Sequence, residues 1–322
     1  MRFYALVAAL ALHAAAASAA STTQVHWVMG TYLRITASGA GAPDAMRTCF
    51  ATARRLDGVF SRYDRTSELS RLSAARSLTA SPDFTDLLER SLLLGRRTGG
   101  AFDVTAGALM TLWRRDEPPS PSAIAAARAT RAGVTLDGSQ LRLGPGTELD
   151  FDGIAKGYAV DACVDALRAA GVLRAFVSFG ESSLYALGTS PDGGPWTVDV
   201  RGLDPEVAIG TLHLRDQAVS VSSTRGASRR QRVIVDPASG QALDEARVAV
   251  VVAPSATDAE AYSKALLIWG AAGLPRLEQL PGTAGVAVSP TGVQVGPALR
   301  RMHGFTTLVA PQPLRRAEEG LS

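Results

Sequence analysis

The sequence predicts an α+β fold with largely antiparallel, partly mixed sheets flanked by helices. Three observations carry this expectation. Short β-branched segments come in runs separated by turns, not in regular alternation with helices. The helical segments open on Ser-Pro pairs and close on glycines. Of the 322 residues, 46% are hydrophobic and 20% charged, so the chain can bury a core.

The elements follow in order. "QVHWVMGTYLRITASG" alternates and reads as a strand or hairpin. "PDAMRTCFATARRLDGVFS" has helical spacing, with Pro43 at its start, and "SRYDRTSELSRLS" reads as a polar turn. "SPDFTDLLERSLLLGRRTGG" is a helix with Ser81 as N-cap and Pro82 behind it, and "FDVTAGALMTLW" follows at its exit. "SPSAIAAARATRAG" is a small helix, and short strands lie around "GVTLD", "QLRLG" and "ELDFD". A helix from about Ile154 to Ala170 ends at Gly171. Strands follow near "RAFVSF", "SLYALG", "WTVDVRG", "IGTLHLR", "AVSVSS", "RVIVD" and "RVAVVVA". One more helix, "TDAEAYSKALLIWG", precedes a strand pair at "GVAVS" and "GVQVG". No internal repeat is evident, and the loop at 116–122 is the best candidate boundary.

The first 20 residues have one Arg, an apolar run and then small residues, with Ala17-Ser18-Ala19 at the A-x-A position. They read as a signal peptide, with a weak N-terminal anchor as the alternative. No Cys stands at the cleavage point, which argues against a lipoprotein. The expected product is a soluble exported protein, periplasmic, with one domain over 21–310 and a polar tail over 311–322. No later segment is apolar for long enough to span a bilayer. Net charge is +3, and "RRQR" at Arg229 is too short for a nucleic-acid arm. Cys49 and Cys163 lie in amphipathic helical stretches. Export permits a disulfide, but the reading favours buried free thiols.

The chain holds 33 basic residues, yet lysine occurs only at Lys156 and Lys264. Lys156 lies in "DFDGIAKGYAVD", where Asp150 and Asp152 end a strand and Gly153 opens a helix. A helix N-terminus with a lysine one turn in suits phosphate; an ordinary capped helix with an exposed lysine fits as well. Glu260, Ser263 and Lys264 share one helix face. That pattern is either a surface ion pair or a site that needs a compact ammonium. The histidines past the leader, His26, His213 and His303, are isolated, which argues against a histidine metal site or triad.

Taken together, these segments resemble the ApbE family of flavin transferases. "MGTYLRI", "FSRYDRTSELSRL", "GGAFDVTAGALMTLW", "LDFDGIAKGYAVD", "VIVDPASG" and "ATDAEAYSKALLIWG" look like the family's motifs, in the family's order. The resemblance implies that FMN passes from FAD to a Thr or Ser hydroxyl of an exported or membrane-associated acceptor protein. AMP leaves, and Mg²⁺ assists. By the same resemblance Met29 and Tyr63 contact the flavin, and Ala101, Phe102 and Asp103 line the FAD site. Asp150 and Lys156 bind FAD beside the central helix. Lys264 falls at the metal site by resemblance, but as an ammonium it is added here to the FAD-binding residues, with both lysines facing the phosphates. Lys156 and Asp236 take catalytic roles. Gly153, Glu260 and Ser263 hold the metal.

The sequence departs from the family pattern. Val233 stands where the family has a histidine, and Asp103 or Asp236 are the replacement candidates. Glu260 replaces an aspartate. Lys264 replaces a metal-ligating threonine, and an ammonium cannot ligate Mg²⁺; it can stand beside the pyrophosphate instead. Glu181, in "SFGESS", puts a carboxylate in a loop expected near the flavin. Two further readings follow from these departures: an exported FAD-binding protein that has lost transfer, and an FAD pyrophosphatase.

Overall fold

The computed structural model describes residues 21–131, 133–224, 234–301 and 305–307. The expectations for the leader at 1–20, Arg229, Val233, His303 and the tail at 311–322 fall outside the described residues.

The chain opens with a hairpin, β1 (Thr22–Val28) and β2 (Thr31–Ser38), turned at Met29 and Gly30, both at positive φ. α1 (Ala42–Phe60) buries Met46, Phe50 and Leu56 along one face. α2 (Glu68–Ala75) stands where the sequence reading placed a turn. Leu69 and Leu72 give it a short apolar face, and Ser67 accepts a hydrogen bond from the Ser70 N–H. β3 (Ser77–Thr79) leads to α3 (Pro82–Arg97), capped by Ser81 as expected. α4 (Gly107–Trp113) and α5 (Pro121–Ala129) flank the loop at 116–122 and share a small core of Leu109, Ile124 and Ala127. β4 (Val134–Asp137) and β5 (Gln140–Leu143) form a small sheet with β3. α6 (Ala155–Ala169) follows, and then β6 (Arg174–Phe179), β7 (Ser183–Leu187), β8 (Trp196–Arg201), β9 (Ala208–Leu214), β10 (Gln217–Ser223) and β11 (Val248–Ala253). α7 (Ala256–Trp269) and α8 (Leu274–Leu277) precede β12 (Ala284–Ser289), β13 (Gly292–Val295), α9 (Pro297–Arg301) and β14 (Phe305–Thr307).

Among the described residues the main sheet has eight strands in the order β1-β2-β6-β7-β10-β11-β12-β13, and every pairing in it is antiparallel. α6 and α7 cover one face, and α1 packs on α6. The small sheet β14-β9-β8 shares a second core with the other face. β11 lies between the two layers. Ala249, Val251 and Ala253 join one core while Val248, Val250 and Val252 join the other. An unbroken apolar run is what a strand buried on both faces needs.

Two local expectations need correction. "ELDFD" is not a strand: Glu148 makes only an isolated bridge to Ala106, and the Asp150 N–H donates to the Val104 carbonyl at 2.9 Å. These bonds hold the two segments side by side without a ladder. Cys49 and Cys163 form a disulfide rather than two free thiols. Packing of α1 on α6 brings their Cα atoms to 4.6 Å, well within reach of a bridge. Among the described residues no helix is long and apolar enough to cross a membrane.

Candidate active site

Residues of α6 and α7 cap each other's helix N-termini. Ile154 precedes α6 with no side-chain cap; the Gly157 N–H instead donates to Glu260 Oε2 of α7 at 2.5 Å. In return Asp161 of α6 accepts from the Ala256 and Thr257 N–H groups of α7 at 2.7 and 3.0 Å. Orphan N–H groups of both helices are thereby satisfied. Gly157 makes the approach possible, because a Cβ there would lie 2.4 Å from the Ala256 carbonyl oxygen. The α6 N-terminus is therefore partly occupied by an internal carboxylate, rather than left open for phosphate.

The close approach puts both lysines on one carboxylate. Lys156 Nζ lies 3.1 Å and Lys264 Nζ 3.9 Å from Glu260 Oε1. The Glu260 side chain is 1% exposed and each lysine 22%, so neither lysine belongs to a surface pair. Lys264 Nζ also donates to Ser222 Oγ at 2.8 Å. Ser222 and Ser220 hydroxyls reach Ser263 Oγ at 2.7 and 3.0 Å, and Ser263 donates to the Glu260 carbonyl at 2.9 Å. With Ser220 and Ser222 as donors to Ser263, this network uses each hydroxyl proton once. Burial opposes ionisation of Glu260, but Lys156, Lys264 and the Gly157 N–H outweigh it and hold the carboxyl below its usual range. Glu260 pushes Lys156 up. Burial pulls Lys264 down to about 8, against Glu260 and with help from Lys156.

Lys264 opens into a cleft of about 190 Å³, whose lining includes Ala101, Phe102, Asp103, Asp150, Asp152 and Gly153. That is small beside the roughly 300–1,000 Å³ of typical ligand pockets, so the cleft accommodates part of a dinucleotide. Arg114 Nη1 and Arg62 Nη1 hold Asp150 Oδ2 at 2.7 and 3.1 Å, and Arg114 Nη2 holds Asp152 Oδ2 at 2.8 Å. Sequence reasoning missed both arginines and the serines of β10. Asp152 is 40% exposed at the mouth. Burial, then the neighbouring Asp150, push its carboxyl up to about 7; Glu260 adds to the rise, against Arg62 and Lys156.

The ApbE family profile matches residues 29–287, most of the chain. The chain belongs to the ApbE family. It is 28% identical to the FAD:protein FMN transferase of Klebsiella pneumoniae over 92% of this chain and 90% of that protein. Identity is 27% to the protein of the same name in Escherichia coli strain K12, over 88% and 86%. The apo structure of Pseudomonas stutzeri flavinyl transferase ApbE is 26% identical, with a TM-score of 0.77 over 88% of this chain and 97% of that one. An ApbE structure from Thermotoga maritima, at 22% identity and a TM-score of 0.78, shares the fold over 88% and 99%.

The cleft brings together Ala101, Phe102, Asp103, Asp150, Gly153 and Lys264, with Lys156, Glu260 and Ser263 joined to it through the Lys264 network. Met29 and Tyr63 are outside its lining. Met29 is half-buried at the hairpin turn, where its N–H donates to Asp57 at 3.3 Å. Tyr63 is 80% exposed beside Arg62. Both candidate replacements for the missing histidine are committed to turns. Asp103 Oδ1 accepts from Thr105 N–H and Oγ1 at 2.8 and 2.6 Å. Asp236 accepts from the Ala238 N–H and the Ser239 hydroxyl at 2.9 and 2.8 Å, and is not part of the lining, although Val235 and Pro237 are. Glu181 lines a different and larger cavity, about 710 Å³, between the main sheet and the β8–β9 layer.

The metal set expected from the ApbE pattern does not fit a divalent ion in this chain. Lys264 fills the space beside Gly153, since a Cβ there would lie 3.7 Å from its Cε and Cγ atoms. One Glu260 oxygen takes the Gly157 N–H, and the other faces both ammonium groups. Ser263 Oγ already accepts from the Ser220 and Ser222 hydroxyls, which takes up both of its lone pairs. Two unit charges 4 Å apart interact by about 4 kcal/mol at an effective dielectric of 20, and a divalent ion doubles the repulsion from each ammonium.

Proposed function

We propose that this chain moves FMN from FAD onto a serine or threonine hydroxyl of an exported acceptor protein, with AMP as the second product. The observation that carries this reading is Lys264 on the lining of a cleft that also holds Phe102, with Lys156 behind it on the shared Glu260. Such a site presents an ammonium to a phosphate and apolar walls, with Ala101, Met110 and Ile268 among them, to a ring. The names of the relatives point to the same reaction.

In the transfer, the acceptor oxygen bonds to the FMN-side phosphorus. The bond from that phosphorus to the bridging oxygen breaks, and AMP leaves with that oxygen and its electron pair. The hydroxyl proton is released, and Asp152 at the cleft mouth is placed to take it. Lys156 and Lys264 stabilise the charge on the pyrophosphate as it is redistributed, which is the main task of a phosphoryl-transfer site. Export of the chain itself fits its disulfide, since such bonds persist in oxidising compartments.

The test incubates the purified chain with FAD and a soluble fragment of an exported flavinylated protein. AMP release and covalent flavin fluorescence on the fragment are followed. Equal amounts of both support transfer. Free FMN with AMP identifies a pyrophosphatase, and bound FAD with no product identifies a binding protein.

A further inference from the structure

The ApbE pattern calls for a divalent cation where this chain has a second lysine, and the cluster around Glu260 shows what takes its place. Among the described residues, with the Asp103 carboxylate of the cleft balanced by Arg131, four cations, Lys156, Lys264, Arg62 and Arg114, stand against three carboxylates, Glu260, Asp150 and Asp152. Asp150 is held by both arginines and Asp152 by Arg114. Among the described residues Glu260 balances one of the two ammonium groups, which leaves one positive charge, with Lys264 on the cleft lining, for a ligand. Lys264 is fixed as well as charged. The Ser222 hydroxyl holds its Nζ at 2.8 Å, and Ser263 ties Ser222 to the α7 backbone. An ammonium has three donors; Ser222 takes one, while Glu260 at 3.9 Å is beyond hydrogen-bond reach. Donors therefore remain for an anion in the cleft.

We infer that Lys156 and Lys264, braced on Glu260 and Ser222, form a built-in cationic clamp for the pyrophosphate, and that this chain binds and turns over FAD without a divalent cation. Glu260 is then a counter-ion that keeps two lysines together, and Ser222 a positioning residue. The inference rests on the proposed reaction, because the anion it assigns is the FAD pyrophosphate.

Flavin fluorescence titration of the full chain with FAD, in EDTA and in millimolar Mg²⁺, tests it, with AMP release measured alongside. The affinity is expected to agree within about twofold between the two buffers, and turnover likewise. Lys264→Met, which removes the charge and keeps the bulk, should weaken FAD at least tenfold in both. FAD binding or turnover that requires Mg²⁺ in the unaltered chain would overturn the clamp, whether or not the variant folds. So would Lys264→Met with unchanged affinity. No FAD binding in either buffer would instead sink the transferase reading, and the clamp with it.

Discussion

At the scale of single residues, Lys264 and Asp152 set the pH behaviour. Lys264 is pulled down to about 8, first by burial. Its ammonium is the form present below that value and is lost as pH rises through it. Asp152, pushed up to about 7, gains its basic form as pH rises. The value of kcat/KM should therefore climb through about pH 7 and fall above about pH 8, with FAD affinity dropping toward tenfold per pH unit on the alkaline side. Asp152→Asn should lower the transfer rate by about 10²–10⁴-fold, remove the acid limb and leave FAD binding in place. Stopped-flow and titration series across pH check both. The scarcity of lysine flagged Lys156 and Lys264 in the sequence. The i,i+4 spacing announced Glu260 beside Lys264, but nothing local brought Lys156 to it: the Gly157–Glu260 bond spans 103 positions, Lys264–Ser222 spans 42 and Arg62–Asp150 spans 88.

At the scale of elements, the site depends on how closely α6 and α7 approach. Gly157→Ala would drive a methyl group into the Ala256 carbonyl. Overpacking of this kind costs about 1–3 kcal/mol, and melting should fall by roughly 2–4 °C per kcal/mol. FAD affinity should fall with it, because the shift separates Lys156 from Glu260. Asp161→Ala uncaps α7 and leaves the Ala256 and Thr257 N–H groups without their acceptor, a loss of about 1–3 kcal/mol readable by denaturant unfolding. The sequence showed both helices clearly, through their spacing and their closing glycines. It hid α2, whose apolar face is only Leu69 and Leu72. It also suggested strands at "ELDFD", where hydrogen bonds to a distant segment decide the conformation.

At the scale of the whole molecule, the Cys49–Cys163 disulfide closes 114 positions and fastens α1 to the back of the lysine-bearing helix. Removing it with a Cys49→Ala, Cys163→Ala double variant should cost roughly 2–5 kcal/mol, seen as a lower denaturant midpoint. FAD binding to the folded variant should persist, since the lysine clamp does not include the bridge. Each cysteine occupies an ordinary buried helical position, with no spacing motif to pair them. Only the packing of two helices far apart in the chain shows that they meet.

The sequence by itself determined the α+β class, the order of the main helices and strands, the family resemblance and the two positions where lysine is kept. These are written in local periodicity, capping residues and short motifs. Tertiary structure alone decided that both lysines converge on one buried glutamate, and that the Lys264 side chain fills the space beside Gly153 where a metal was expected. Each of these depends on side chains brought together across tens of residues by the crossing of α6 and α7 over the sheet. Burial there turns what reads as a surface ion pair into a cationic clamp.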